Sequence, residues 1–177
     1  MKWKNIDVGP AYYYITGTLT EWLPLLKRAG IRELVCAQIK YALAECGGSL
    51  AAFVIMPDHI HLLVYLPEAN LLHKFNKLWR GRSGYKIIKL LKANAEPGIL
   101  EVMASHANGK ANYAAWKEQP RALAIWNKKK LDAMIDYIHY NPVRRGLVAL
   151  PEEWPYSSYR FYERGETVAL EVVPPEL

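Results

Sequence analysis

The stretch from Pro57 to Leu66, PDHIHLLVYL, constrains this chain more than any other. Side chains alternate across a strand, so Ile60, Leu62, Val64 and Leu66 form one aliphatic row while His59 and His61 fall together on the opposite face. The aliphatic row has to meet a core, and the histidines then look to wherever the sheet is uncovered. Two imidazoles at this spacing converge, and imidazole is the commonest metal ligand, yet such a pair is as often merely exposed or internally satisfied. A divalent ion held by two imidazoles needs at least one further protein ligand. It also keeps positions open for water or a phosphate oxygen, which is the layout of a catalytic rather than a structural centre.

Around that strand the pattern predicts an α+β order. Residues 11–20, AYYYITGTLT, are aromatic and β-branched and read as a first strand, with Gly17 as a bulge or a point of close approach. A helix over 31–46 follows, stopped by Gly47 and Gly48. Residues 49–56 form a second strand, joined through the tight Pro57-Asp58 turn to the strand that starts at His59. The spacing over 70–94 is helical, as two helices or one bent helix, because Gly81 and Gly84 weaken its middle. The short apolar piece 99–103 reads as a strand, and 113–126 has no clear period. Asn127 is the N-cap of a helix over 128–140, which Pro142 ends. The closing dozen residues read as an edge strand or a loose tail. This order fits a mainly antiparallel sheet in a split βαβ, ferredoxin-like sandwich, with helices on one face and the His-x-His face open.

At 177 residues, 51% of them apolar, the chain is long enough for a single domain with a full core, with its core at about 8–162 and a tail beyond. Cys36 and Cys46 lie on one helix about 15 Å apart, too far for a disulfide, and read as buried thiols in a reducing compartment. The basic N-terminus lacks an apolar signal-like region and no run of 18 apolar residues occurs, so a cytoplasmic protein is expected. The net charge of +6 points to a polyanion. It is concentrated: no acidic residue occurs between Ala69 and Ala95, where Lys74, Lys77, Arg80, Arg82, Lys86, Lys89 and Lys92 recur with Trp79 and Tyr85 among them. Lysine and arginine neutralise phosphates without reading sequence, and the two aromatics are candidates for stacking unpaired bases.

A second motif, DYIHYNPVRRGLV at 136–148, offers reacting groups. Tyr137 and Asn141 are four apart and share a helix face, so a phenol and an amide oxygen stand side by side. The amide is a candidate third ligand, with His139 as a competitor. Deprotonating a phenol of pKa about 10 at pH 7 costs roughly 4 kcal/mol. A metal that polarises the target phosphate eases the attack, so the histidine pair and the tyrosine make better chemical sense together than apart.

VIMPDHIHLLVYLP, YIHYNPVRRGLV and EEWPYSSYRFY, in this order and spacing, resemble the single-tyrosine transposases of the HUH nuclease superfamily, in particular the REP-associated tyrosine transposases. The resemblance implies a ferredoxin-like core with His59 and His61 as metal ligands. Tyr137 corresponds to the nucleophile, and Asn141 completes a Mg²⁺ or Mn²⁺ site. Ligand softness alone would admit Zn²⁺. It further implies cleavage of single-stranded DNA through a 5′-phosphotyrosine link, with strand transfer, on hairpins formed by palindromic repeats, by a monomer or a homodimer. Arg144, Arg145 and Arg160 join the basic helix as candidate DNA contacts. A nucleic-acid-binding module that has lost cutting and, behind it, a metal-dependent phosphodiester hydrolase are the competing readings.

Overall fold

The computed structural model describes residues 9–109, 111–117 and 121–176. The N-terminal basic stretch up to residue 8 and positions 118–120 of the unassigned segment lie outside the described residues. Four strands, β1 (Ala11–Thr18), β2 (Ser49–Ile55), β3 (His59–Leu66) and β4 (Arg121–Ile125), form one sheet in the order β2-β3-β1-β4 with every neighbour antiparallel. The helix α1 (Ala29–Cys46) crosses from β1 to β2, and α2 (Leu71–Ala93) follows β3, which gives the split βαβ arrangement of an α+β sandwich.

The first strand alternates buried and half-buried side chains along its whole length, as a strand with two unlike faces must. Tyr13 and Ile15 join Ile60, Leu62 and Val64 on one face, where α1 and α2 pack. Gly17 is a close approach: a Cβ there would stand 2.4 Å from the indole Cη2 of Trp79. Trp79 is fully buried, its indole N–H donates to Asn76 Oδ1 at 3.2 Å, and its ring meets Trp116 edge-on. It is a core residue and takes no part in base stacking, whereas Tyr85 is 70% exposed. Despite its two glycines α2 is one continuous helix, with Gly84 against Trp116 and Ala115.

The second sheet face departs from expectation. Helix α4 (Lys128–His139), capped by Asn127 Oδ1 accepting from the Lys130 N–H at 3.3 Å, lies across it. Its apolar stripe Leu131, Ile135 and Ile138 packs on Ala51, Ala52, Val54, Met56 and Leu63. An amphipathic helix has to bury that stripe, and the β2 half of the histidine face is the apolar surface that receives it. The face is therefore open only toward β1 and β4.

Two further segments are corrected. Residues 99–103 belong to a helix, α3 (Pro97–Ser105), not a strand: Pro97 suits the first helical turn, and Ile99, Leu100 and Met103 form a helical stripe against the core. The closing residues are neither a strand nor a loose tail. Leu170 and Val172 are buried, and the Val173 N–H donates to Leu50 O at 2.9 Å. Together with Tyr156–Ser158 they cover the outer edge of β2, whose unpaired backbone groups would otherwise be exposed. The aromatics of WPYSSYRFY are packing: Trp154 donates to Ile55 O and Tyr162 Oη to Ala51 O. Among the described residues no helix is long and apolar enough to cross a membrane.

Candidate active site

The pleat of β3 puts His59 and His61 on the face that they share with Thr18 and Thr16 of β1, their cross-strand partners. Their rings stand 4.8 Å apart, centroid to centroid. His59 Nδ1 is 2.5 Å from Asp58 Oδ1, and Asp58 Oδ2 is 3.6 Å from Arg145 Nη2. A carboxylate only accepts, so Nδ1 carries the proton and Nε2 keeps its lone pair for a ligand, as in carboxylate–histidine–metal triads. Asp58 was visible in the sequence as a turn residue; its adjacency to a histidine was the signal for its further role.

His61 is buried, with Nδ1 2.8 Å from Tyr14 Oη and 3.0 Å from Thr16 Oγ1. Burial first, then the neighbouring His59 and Arg145, pulls its pKa down to about 3. It is neutral at pH 7, as an imidazole ligand must be. Because a hydroxyl can accept, an Nδ1–H donating to either partner leaves Nε2 of His61 free as well.

Tyr137 rides on the flank of α4, with its ring 5.8 Å from that of His61 and 6.0 Å from that of Tyr14. Histidine pair and tyrosine thus meet within one chain, from segments some eighty residues apart. The two tyrosines are not equivalent. Burial raises the pKa of Tyr14, which is tied to His61, whereas Tyr137 is 41% exposed. The Arg144 guanidinium lies 4.6 Å above the Tyr137 ring and donates to its carbonyl at 3.3 Å.

Asn141 opens the short helix α5 (Asn141–Arg144), whose C-cap is Arg145, so the Arg145–Asp58 pair ties this turn to the histidine strand. The Asn141 side chain is buried and its Oδ1 has no hydrogen-bond partner among the described residues. An orphaned buried acceptor costs about 1–3 kcal/mol and needs a reason; a cation provides one. No group of three or more His, Cys, Asp or Glu side chains among the described residues is arranged to hold a metal ion, which leaves the Asn141 amide as the candidate third ligand that the sequence offered. The competitor His139 is turned away: buried, lowered to about 4 by burial, its Nε2 is 2.8 Å from Ser158 Oγ under the rings of Tyr159 and Tyr162.

The site opens into a cleft of about 670 Å³ lined by Tyr14, Thr16, Thr18, Trp22, His61, Lys117, Arg121, Ala122, Leu123, Met134 and Tyr137, with no carboxylate among them. Its cations among the described residues are Lys117 and Arg121, which sequence reasoning missed because they lie within the segment without periodicity. The basic helix is elsewhere. α2 lies on the opposite face of the sheet, where Lys74 donates to Glu45 O, Arg82 to Gln38 Oε1 and Arg80 to Lys117 O. Lys77 and Lys86 are exposed there, and Arg160 donates to Glu152 O on the β2 side. Of the residues singled out from the sequence, the structure brings His59, His61 and Tyr137 together, sets Arg144 on Tyr137 and Arg145 on Asp58, buries Asn141 one turn beyond Tyr137, and leaves Lys74, Lys77, Arg80, Arg82, Lys86 and Arg160 elsewhere.

Two strand-borne imidazoles and a helix-borne tyrosine thus stand together on one face of this sheet, His61 and Tyr137 both lining the cleft. No family model matches the chain. A Haemophilus influenzae protein named "Putative REP-associated tyrosine transposase" is 32% identical over 112 residues, which span 61% of this chain and 57% of that one. The REP-associated tyrosine transposase of Escherichia coli is 29% identical over 108 residues, spanning 61% and 52%. The chain thus matches little more than half the length of these curated relatives. A solved structure of a REP-associated tyrosine transposase bound to a REP hairpin shares the fold, with a TM-score of 0.65 over 100% of this chain and 94% of that one at 18% identity. The chain is thus similar in sequence to proteins named as REP-associated tyrosine transposases, the family that its three motifs resemble, and shares the fold of one of them.

Proposed function

We propose that this protein cleaves single-stranded DNA and transfers the strand, with Tyr137 as nucleophile, on DNA that carries hairpins. The observation that carries the reading is the Tyr137 ring 5.8 Å from His61 in the same chain, on a cleft with no carboxylate among its described lining residues. The relatives' names and the hairpin bound by the structural neighbour point the same way.

His59, His61 and Asn141 fit a divalent cation: two imidazoles whose Nδ1 atoms are already engaged and one orphaned amide oxygen, a mixed N/O set with open positions left over, for which the resemblance, not ligand softness, points to Mg²⁺ or Mn²⁺. When bound, that ion would make the scissile phosphorus more electrophilic and offset charge on its oxygens. Asp58 and Tyr14 hold the imidazoles in orientation. Tyr137 Oη attacks the phosphorus, the P–O3′ bond breaks, and the 5′-phosphate stays on the tyrosine. The phenol proton leaves to water, to which Tyr137 is open, and the departing 3′-oxygen takes one up. Attack of a 3′-hydroxyl on the phosphotyrosine reverses the step and completes transfer. Arg144 over the Tyr137 ring, with Arg145 nearby, supplies positive charge where the phosphate gains negative charge.

The test is incubation with hairpin-bearing single-stranded DNA and Mg²⁺ or Mn²⁺, followed by a denaturing gel. A covalent protein–DNA band that disappears in Tyr137→Phe is expected. Cleavage without an adduct would move the chemistry to water; salt-sensitive binding with no cleavage of any hairpin would favour a binding module.

A further inference from the structure

We infer that the cleft holds a built subsite for an unpaired nucleotide, in which Trp22 stacks on the base and Lys117 and Arg121 take the flanking phosphates. This deepens the reading above, and rests on it for the identity of the strand.

Trp22 is 55% exposed, an unusual position for the largest apolar side chain, and it lines the same cleft as His61 and Tyr137. It is held there deliberately. Glu21 and Trp22 both have positive φ, 48° and 51°, which bulky L residues adopt only when their surroundings impose it. The surroundings are named: the Thr20 N–H donates to Ala115 O, Thr20 Oγ1 to Ala114 O, and the Glu21 carboxylate stands 3.1 Å from His106 Nε2 on the far side. That pinned turn carries the indole to the rim of the cleft.

The cations are fixed as firmly. Lys117 lies on a segment whose backbone is clamped between Thr18 O, which accepts its N–H at 2.9 Å, and the half-buried Arg80, which donates to its carbonyl. Its ammonium sits 2.9 Å from the Trp22 ring centroid. Arg121 is the β4 partner of Thr16, whose partner on the other side is His61. The three form one row across the sheet, so the Arg121 and His61 backbones stand about 10 Å apart, two strand spacings, with both side chains lining the cleft. An exposed indole and two cations in one concavity, with no carboxylate among its described lining residues, match a base with its phosphates, and stacking on an aromatic face tolerates any base.

Photocrosslinking of a short oligothymidylate, about twelve nucleotides with 5-iodouracil replacing thymine, tests the assignment on the full chain without a cognate hairpin. The crosslink is expected on the peptide that carries Trp22. Trp22→Leu should weaken binding about tenfold while Trp22→Phe retains most of it, because the phenyl ring still stacks. Arg121→Gln should flatten the salt dependence of log K by about 0.7, the share of one phosphate on a single strand. Crosslinks on Tyr85 or Trp126 with none on Trp22, or Trp22→Leu binding as the wild type does, would overturn the subsite. The two readings separate: a Trp22 crosslink with no covalent tyrosine adduct on hairpin-bearing DNA upholds the subsite and sinks the tyrosine nucleophile, while an adduct on that DNA that forms equally well in Trp22→Leu does the reverse.

Discussion

Replacing Asn141 by leucine separates a ligand from a structural amide. In the metal-free protein the buried Asn141 Oδ1 has no partner among the described residues, a penalty of about 1–3 kcal/mol. Leucine of similar shape removes that penalty, so Asn141→Leu is expected to be about 1 kcal/mol more stable in chelator-treated buffer, after allowance for the hydrogen bonds of the lost amide N–H groups. For a chain of this size that is an increase of about 2–4 °C in Tm. Cation binding acts in the opposite sense. At one hundred times Kd, Mn²⁺ should stabilise the wild type by about 2.7 kcal/mol, and the variant, with two ligands left, by much less. Thermal melts with chelator and across a Mn²⁺ series measure both quantities. A variant that loses more than about 2 kcal/mol without metal would make the amide structural. One that keeps the full Mn²⁺ shift would remove Asn141 from the ligand set.

Three further outcomes follow from the same geometry. Asp58→Asn should weaken Mn²⁺ binding about 10–100-fold by calorimetry, through loss of the carboxylate that orients His59; unchanged affinity would leave Asp58 as a turn residue only. In metal-free buffer stability should fall as the pH drops below about 6.5, because unfolded histidines bind protons that the folded chain refuses until about 4 at His139 and about 3 at His61. Each costs about 2 kcal/mol at pH 5. His139→Gln should therefore flatten the urea-measured slope of stability against pH by about one proton between pH 6 and 4.5, and a slope equal to wild type would mean His139 titrates normally.

The local half of the site was legible in the sequence and the assembled half was not. Alternation alone put both histidines on one face of β3, and the i, i+4 spacing with a cap at Asn127 put Tyr137 on a helix of the right extent. Those are properties of a single element. What covers which face is decided between elements: α4 chose the histidine face because Leu131, Ile135 and Ile138 found Val54 and Leu63 there, and no local pattern records that choice. The basic helix shows the same limit in reverse. Its charge was plain, but α2 packs behind the sheet, and the cations of the cleft are Lys117 and Arg121 beside a five-residue strand too short to carry a period. Asp58 and Thr16 were hidden because a turn residue and a strand threonine acquire meaning only from the imidazole next to them.

The central claim, that Tyr137 reacts beside the histidine pair, is tested most directly by locating the covalent bond. Wild-type protein trapped on hairpin-bearing single-stranded DNA with Mn²⁺ would be digested with trypsin and nuclease, and the modified peptide sequenced by mass spectrometry. The predicted result is a 5′-nucleotidyl phosphate on Tyr137, absent from Tyr137→Phe and from His61→Ala. A modification on Tyr14, the other phenol of the cleft, or DNA cleaved with no modified tyrosine, would contradict it.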